Sequence, residues 1–110
     1  AKQVKEIYKS ENPWADLDMP EIDVFTIKAK DGTDLYARMI KPLNFDATKK
    51  YPVIVYVYGG PHAQLITDTW LSGANNFFLF LAQQGYIVWT VDSRGSANRG
   101  FEFESAIWRN

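Results

Sequence analysis

Val53-Ile54-Val55-Tyr56-Val57-Tyr58 runs without a break into Gly59-Gly60-Pro61-His62. Six consecutive apolar or aromatic residues leave no polar face, so the strand reads as one buried on both sides, as strands of parallel sheets are. Pro52 stands at its first position, where a missing N–H is tolerated. The glycine pair ends the strand and lets backbone and the Tyr58 hydroxyl face a ligand with no Cβ atoms in the way. Ligands of open α/β sheets bind at that edge, beyond the carboxyl ends of the strands.

Downstream, residues 59–71 read as a loop, followed by a helix from about residue 73 to 84 and a second apolar strand, Tyr86 to Val91. Phe77, Phe78, Phe80 and Leu81 supply the helix's apolar face, Ser72 is a candidate cap, and Gly85 fits the position just past the end. Strand, helix and strand in this order make a βαβ unit. Asp92-Ser93-Arg94-Gly95-Ser96-Ala97-Asn98-Arg99-Gly100 follows, and residues 97–110 pass from loop into a helix unfinished at Asn110. Upstream, Ile22 to Ala29 and Leu35 to Lys41 alternate as two strands, with Phe25, Ile27 and Ala29 on one face of the first and Leu35, Ala37 and Met39 on one face of the second. Asp31-Gly32 between them signals a hairpin with a primed turn. Residues 2–9 carry Val4, Ile7 and Tyr8 at helical spacing, and Asn12-Pro13 ends that lead-in helix. Residues 14–20 connect it to the hairpin.

Composition narrows the function classes. The chain is 46% hydrophobic and 23% charged, which places it among globular rather than disordered sequences. Its 15% aromatic content suits a larger surface than 110 residues supply, so a piece of a bigger domain is expected. The formal net charge is −1 and Lys49-Lys50 is the largest basic cluster, which gives no nucleic-acid footprint. No apolar run approaches the ~18 residues of a membrane span. Residues 1–12 lack the apolar core of a signal peptide, and the start at Ala1 reads as a processing boundary. With no cysteine and one histidine, neither a disulfide scaffold nor a metal site is expected.

Hairpin, buried strand, helix and buried strand in sequence match the first half of an α/β-hydrolase sheet, cut short before its nucleophile. In that fold one oxyanion donor comes from the loop after the third strand, where Tyr58-Gly59-Gly60-Pro61 stands. No glycine is followed by serine two positions on, so the Gly-x-Ser-x-Gly elbow is absent, as are the dinucleotide and phosphate-loop glycine patterns. Ser93 and Ser96 lack the strand–elbow–helix setting of a nucleophile. His62 is better read as a loop-packing residue than as a base, because the hydrolase order places the histidine after serine and acid. Asp92, Arg94 and Gly95 read as a structural turn, with Arg94 pairing bidentately to a carboxylate. Glu102 and Glu104 suit a helix start, and both lie on one short element rather than across a cleft.

Tyr51 to Gln64, with its Gly-Gly-Pro-His-Ala-Gln run, and Gly85 to Gly100 together resemble the opening of the catalytic domain in the prolyl oligopeptidase superfamily of serine peptidases. The likeness is to the dipeptidyl peptidase IV family in its bacterial form, and it covers residues from about 22 to 110. It implies residues 1–20 as a lead-in helix and linker from a propeller, and residues 21–110 as the N-terminal portion of the α/β-hydrolase domain. It further implies that the Tyr58 phenol donates to the oxyanion, supported by Gly59, Gly60 and Pro61, with nucleophile, acid and base outside this chain. A neutral donor held in a dry pocket stabilises charge that appears only in the transition state; losing one costs about 2.7–4 kcal/mol. The alternative for Tyr58 is a strand-end core tyrosine with a buried hydroxyl partner.

By the same resemblance the whole protein releases X-Pro or X-Ala dipeptides from peptide N-termini through an acyl-enzyme. The resemblance also implies no cofactor, metal or nucleic acid, a homodimer, and an exported, periplasmic protein, although the residues of this chain leave export undecided. An acylaminoacyl peptidase or oligopeptidase of the superfamily shares the Gly-Gly-Pro-His run, and a non-catalytic homologue acting as an interaction module would lack only the serine. A self-sufficient small α/β binding domain is the remaining reading. The chain alone is expected to be inactive, poorly folded or associating.

Overall fold

The computed structural model describes residues 5–108. Four strands, a single 3₁₀ turn and two helices follow in chain order: β1 (Ile22–Lys28), β2 (Asp34–Ile40), β3 (Val53–Tyr56), the 3₁₀ turn (Trp70–Gly73), α1 (Asn76–Gln83), β4 (Ile87–Val91) and α2 (Phe101–Ser105). The strands form one mixed sheet in the order β1-β2-β4-β3. This is the expected part of an α/β-hydrolase sheet: an antiparallel hairpin, then parallel strands joined through a helix.

In the hairpin Phe25 lies opposite Ala37 and Ile27 opposite Leu35, so the alternating apolar residues share one face as their period of two requires. The connection is not a primed two-residue turn. Gly32 N–H donates to the Ala29 carbonyl, Ala29 N–H to the Thr33 carbonyl, and of these loop residues Gly32 alone has positive φ. That is a turn followed by a left-handed glycine, the three-residue hairpin solution, in which Asp31 stays right-handed and its carboxylate accepts the Thr33 amide.

β4 pairs antiparallel with β2, from Ala37 opposite Val91 to Ile40 opposite Val88, and parallel with β3, from Val53 beside Ile87 to Tyr56 beside Thr90. Lying between two strands, β4 is the sheet's interior strand, and Val88 and Thr90 are buried. α1 covers that face, where Ile40, Val88, Phe78, Leu79 and Ala82 form the core.

β3 departs from the expectation of burial on both sides. It is an edge strand, and Val53, Val55 and Tyr56 are exposed, as are Val57 and Tyr58 beyond its end. Its composition is that of an interior strand, but here it has only one neighbour.

Local chemistry accounts for the other corrections. Residues 5–10 form no helix, and Ile7 and Tyr8 are exposed to solvent; the rest of the expected lead-in helix lies outside the described residues. An apolar stripe without a surface to cover does not repay the ordering of a short helix. α1 starts at Asn76 and not near 73, because Asn75 caps it by accepting the Phe78 amide at 3.0 Å. Ser72, the expected cap, sits in the 3₁₀ turn with φ 52. Only Phe78, Leu79 and Ala82 of α1 are buried, while Phe77 and Phe80 stack on each other in solvent. The helix ends as read: Gly85 has φ +94, Gly85 N–H donates to Ala82 and Tyr86 N–H to Leu81. Those two bonds are the Schellman pair that a left-handed glycine permits.

Candidate active site

Tyr58 stands just past the carboxyl end of β3, and its hydroxyl has no hydrogen-bond partner among the described residues. A buried strand-end core tyrosine would have one; this side chain is half exposed. Its ring lies against the backbone of Gly60, where an added Cβ would come within 2.9 Å of Tyr58 Cε1. Gly59 is different, since a Cβ there would meet nothing within 4 Å. One glycine of the pair thus lies against the tyrosine ring, and neither has positive φ.

The loop after Tyr58 is fastened to the segment after β4 along most of its length. His62 N–H donates to the Gly95 carbonyl and Ala97 N–H to the Ala63 carbonyl, at 3.0 and 3.2 Å. Asn98 Nδ2 donates to Gln64 Oε1 at 2.5 Å. Asp92 is buried, and its two carboxylate oxygens take the amides of Leu65 and Ile66 separately, at 2.9 and 3.0 Å. The two glycine-containing segments picked out in the sequence are therefore two sides of one structure. A cavity of about 170 Å³ lies between them, lined by Tyr58, Gly59, Gly60, Leu65, Asp92 and Ser96 among others.

Arg38 grips the far end of the same loop. Its Nη1 donates to the Leu65 carbonyl at 3.1 Å and the Ser72 carbonyl at 2.7 Å, and its Nη2 to Thr90 Oγ1 at 3.4 Å. The guanidinium also lies over the Phe78 ring. Arg38 is 1% exposed, and burial pulls it below its ordinary pKa while neighbouring Asp92 and Tyr56 act in the opposite sense. The segment it holds is strained: Leu71 and Ser72, neither a glycine, both have left-handed φ. Gly73 beside them approaches the Leu65 carbonyl so closely that a Cβ would fall at 2.4 Å.

The burial of Arg38 was not legible in the sequence. Placing Leu35, Ala37 and Met39 on the apolar face of β2 assigns Arg38 to solvent. The one available signal is that Ile40, on the same face as Arg38, is apolar, so that this face is covered as well.

The remaining candidates divide as follows. Ser96 is buried with its hydroxyl spent on the Ser93 carbonyl at 2.6 Å, a turn role rather than a nucleophile's. Arg94 pairs with Asp31 of the hairpin loop through a single N–H at 2.5 Å, not bidentately. The Asp31 carboxyl is held below its usual pKa mainly by the Thr33 amide and hydroxyl, with the Arg94 charge contributing. Gly95 has φ +95 and packs against Ile107, so the turn needs glycine. His62 does not pack into the loop: its ring is 77% exposed and its Nδ1 meets Glu104 Oε1 on α2. Its backbone is tied to the segment after β4 and its ring to α2. This pair stands beside a wider crevice of about 850 Å³ lined by Pro61, Phe101, Ile107 and Trp108. Among the described residues, no group of three or more His, Cys, Asp or Glu side chains is placed to hold a metal.

No protein-family model matches the chain. Individual proteins do. Human dipeptidyl peptidase 8 is 40% identical over 102 residues, which is 92% of this chain and 11% of that protein. Dipeptidyl peptidase 4 of Trichophyton rubrum is 37% identical over 90 residues, 81% of this chain and 12% of that protein. A crystal structure from Bacteroides ovatus assigned as a dipeptidyl aminopeptidase IV superposes with a TM-score of 0.88 at 54% identity, over 94% of this chain and 15% of that one. Porphyromonas gingivalis dipeptidyl peptidase 4 superposes with a TM-score of 0.70 at 31% identity, over 81% of this chain and 12% of that one. The fold is that of a partial α/β-hydrolase sheet. By sequence and by structure, the chain is a homologue of a segment of the dipeptidyl peptidases, spanning about 11–15% of the length of these relatives.

Proposed function

We propose that this chain is the opening of the catalytic domain of a serine-type dipeptidyl peptidase, with residues 21–110 in that domain and residues 1–20 leading into it. Tyr58 is its oxyanion donor. The whole enzyme cleaves X-Pro or X-Ala dipeptides from peptide N-termini through an acyl-enzyme and acts as a homodimer. Serine, acid and histidine come from outside these 110 residues, so the chain alone has no turnover.

What carries the reading is the state of Tyr58. Among the described residues its phenol has no hydrogen-bond partner, and it is half exposed at the carboxyl end of a parallel strand, yet its ring rests on Gly60 and its loop is bonded to residues 92–98. A hydroxyl that is positioned but unspent can donate to an oxygen that becomes negative only in the transition state. It contributes little to the ground state, where the substrate carbonyl is a weaker acceptor. Gly59 leaves open space beside it for the substrate backbone.

The test is Tyr58→Phe in the enzyme that contains this segment, with Gly-Pro-nitroanilide as substrate. kcat should fall about 10²–10³-fold, as for other lost oxyanion donors, with KM nearly unchanged. A variant with the wild-type kcat would return Tyr58 to a packing role. An enzyme inactive before mutation would point to a non-catalytic homologue.

A further inference from the structure

We propose that Asp92 and Arg38 are positioning residues for Tyr58, acting as a two-ended clamp on the loop that follows it. This rests on the oxyanion reading of Tyr58 and extends it to residues that touch no substrate. Asp92 extends the β4 ladder, its own N–H donating to the Tyr36 carbonyl at 2.9 Å, so its carboxylate is set by the rigid centre of the sheet. Each oxygen of that carboxylate holds one amide of the loop, at Leu65 and Ile66. Arg38, one strand away on β2, holds the Leu65 carbonyl and the Ser72 carbonyl. Leu65 is thus gripped at both its N–H and its C=O by two buried, oppositely charged side chains.

The clamp sits where the loop's geometry needs an external hold. Left-handed φ at Leu71 and Ser72 is unfavourable for residues with a Cβ and persists only if the surroundings impose it. Arg38 imposes it by binding the Ser72 carbonyl. At the other end the Tyr58 ring is only half buried, its hydroxyl has no hydrogen-bond partner among the described residues, and its ring rests on Gly60 of the same loop. Its position therefore follows that of the 59–66 segment that Asp92 anchors. The shared cavity bounded by Tyr58, Gly60, Leu65 and Asp92 places anchor and anchored residue within one wall. Charge-assisted bonds from a buried carboxylate are the strong kind, suited to holding a donor to the sub-ångström tolerance catalysis requires.

The experiment is a double-mutant cycle between Asp92→Asn and Tyr58→Phe in the whole enzyme, reading kcat, KM and the melting midpoint. The amide of asparagine can accept from one loop N–H but turns a donor toward the other. Asp92→Asn should lower kcat about 10–50-fold with KM changed less than about threefold, as expected for a displaced catalytic group. In the Tyr58→Phe background the same change should cost less than about twofold, because there is no phenol left to misplace. Equal losses in both backgrounds, or no loss in either, would overturn the clamp. Tyr58→Phe with unchanged kcat would instead remove the oxyanion reading, and that arm is read separately. Arg38→Lys repeats the cycle from the other end and carries it if Asp92→Asn yields no folded enzyme. Failure of both to fold would also overturn the proposal, since the pair would then hold the domain together rather than aim the loop.

Discussion

Gly59 and Gly60 are adjacent and chemically identical, yet the structure predicts that alanine at each has a different effect. Neither residue has positive φ, so alanine brings no backbone strain and should stabilise the fold by about 0.4–1 kcal/mol through the unfolded chain. At Gly59 the new methyl meets nothing within 4 Å. At Gly60 it would lie 2.9 Å from Cε1 and 3.4 Å from Cζ of Tyr58, so the ring must withdraw by about 0.5 Å to restore ordinary contact. Tyr58 is 55% exposed, so the ring can move away at a cost of about 0.5–1.5 kcal/mol for an off-rotamer side chain. That roughly cancels the stabilising term, and the melting midpoint should stay within a few degrees of wild type. The hydroxyl lies farther from the hinge than Cε1 and swings farther. A bond near 2.8 Å stretched by most of an ångström is no longer a hydrogen bond. The expected loss in kcat for Gly60→Ala is therefore about 10–100-fold, approaching but not exceeding that of Tyr58→Phe. Gly59→Ala should stay within about twofold of wild type unless it obstructs substrate, which would appear in KM. The assay is steady-state hydrolysis of Gly-Pro-nitroanilide by the whole enzyme, with thermal melts in parallel. Equal kcat for the two variants, or a large loss of stability in Gly60→Ala, would refute the reasoning.

Two further outcomes are expected. The purified 110-residue chain should bind hydrophobic dye and associate, because the β3 edge and the stacked pair Phe77 and Phe80 are exposed, and it should not turn over Gly-Pro-nitroanilide; a monomer with a sharp melt and no dye binding would contradict this. In the whole enzyme Asn75→Ala should lower unfolding free energy by about 1 kcal/mol through loss of the α1 cap, whereas Ser72→Ala should not, and equal effects would return the cap to Ser72.

The uninterrupted apolar run Val53–Tyr58, the hairpin around Gly32 and the alternation in both flanking strands were sufficient for the α/β reading, because side-chain period and turn glycines are properties of local sequence. The Schellman end at Gly85 was legible for the same reason. The start of α1 was not: Ser72 and Asn75 are both competent caps, and it is Asn75 that accepts the Phe78 amide, while Ser72 lies in a left-handed turn with its carbonyl bonded to Arg38. Residues 5–10 show the limit of periodicity, since helical spacing of apolar side chains predicts a helix only where a surface exists to cover them.

Tyr58 and the Gly-Gly-Pro loop could be singled out from sequence, as could the second segment at Asp92–Gly100. That the two are one structure could not, because bonds such as Asp92 to Leu65 and Ile66 join residues 26 and 27 positions apart. Arg38 was hidden for a related reason. A strand's pattern shows that two faces differ, not which of them a distant helix will cover, and α1 covers the face that carries the arginine. Sequence alone thus determined the element types of the sheet and its crossover helix, and singled out the tyrosine at the carboxyl end of β3. Tertiary structure decided which charges are buried and how the loop after that tyrosine is fastened, because burial and long-range pairing arise only when segments far apart in the chain meet.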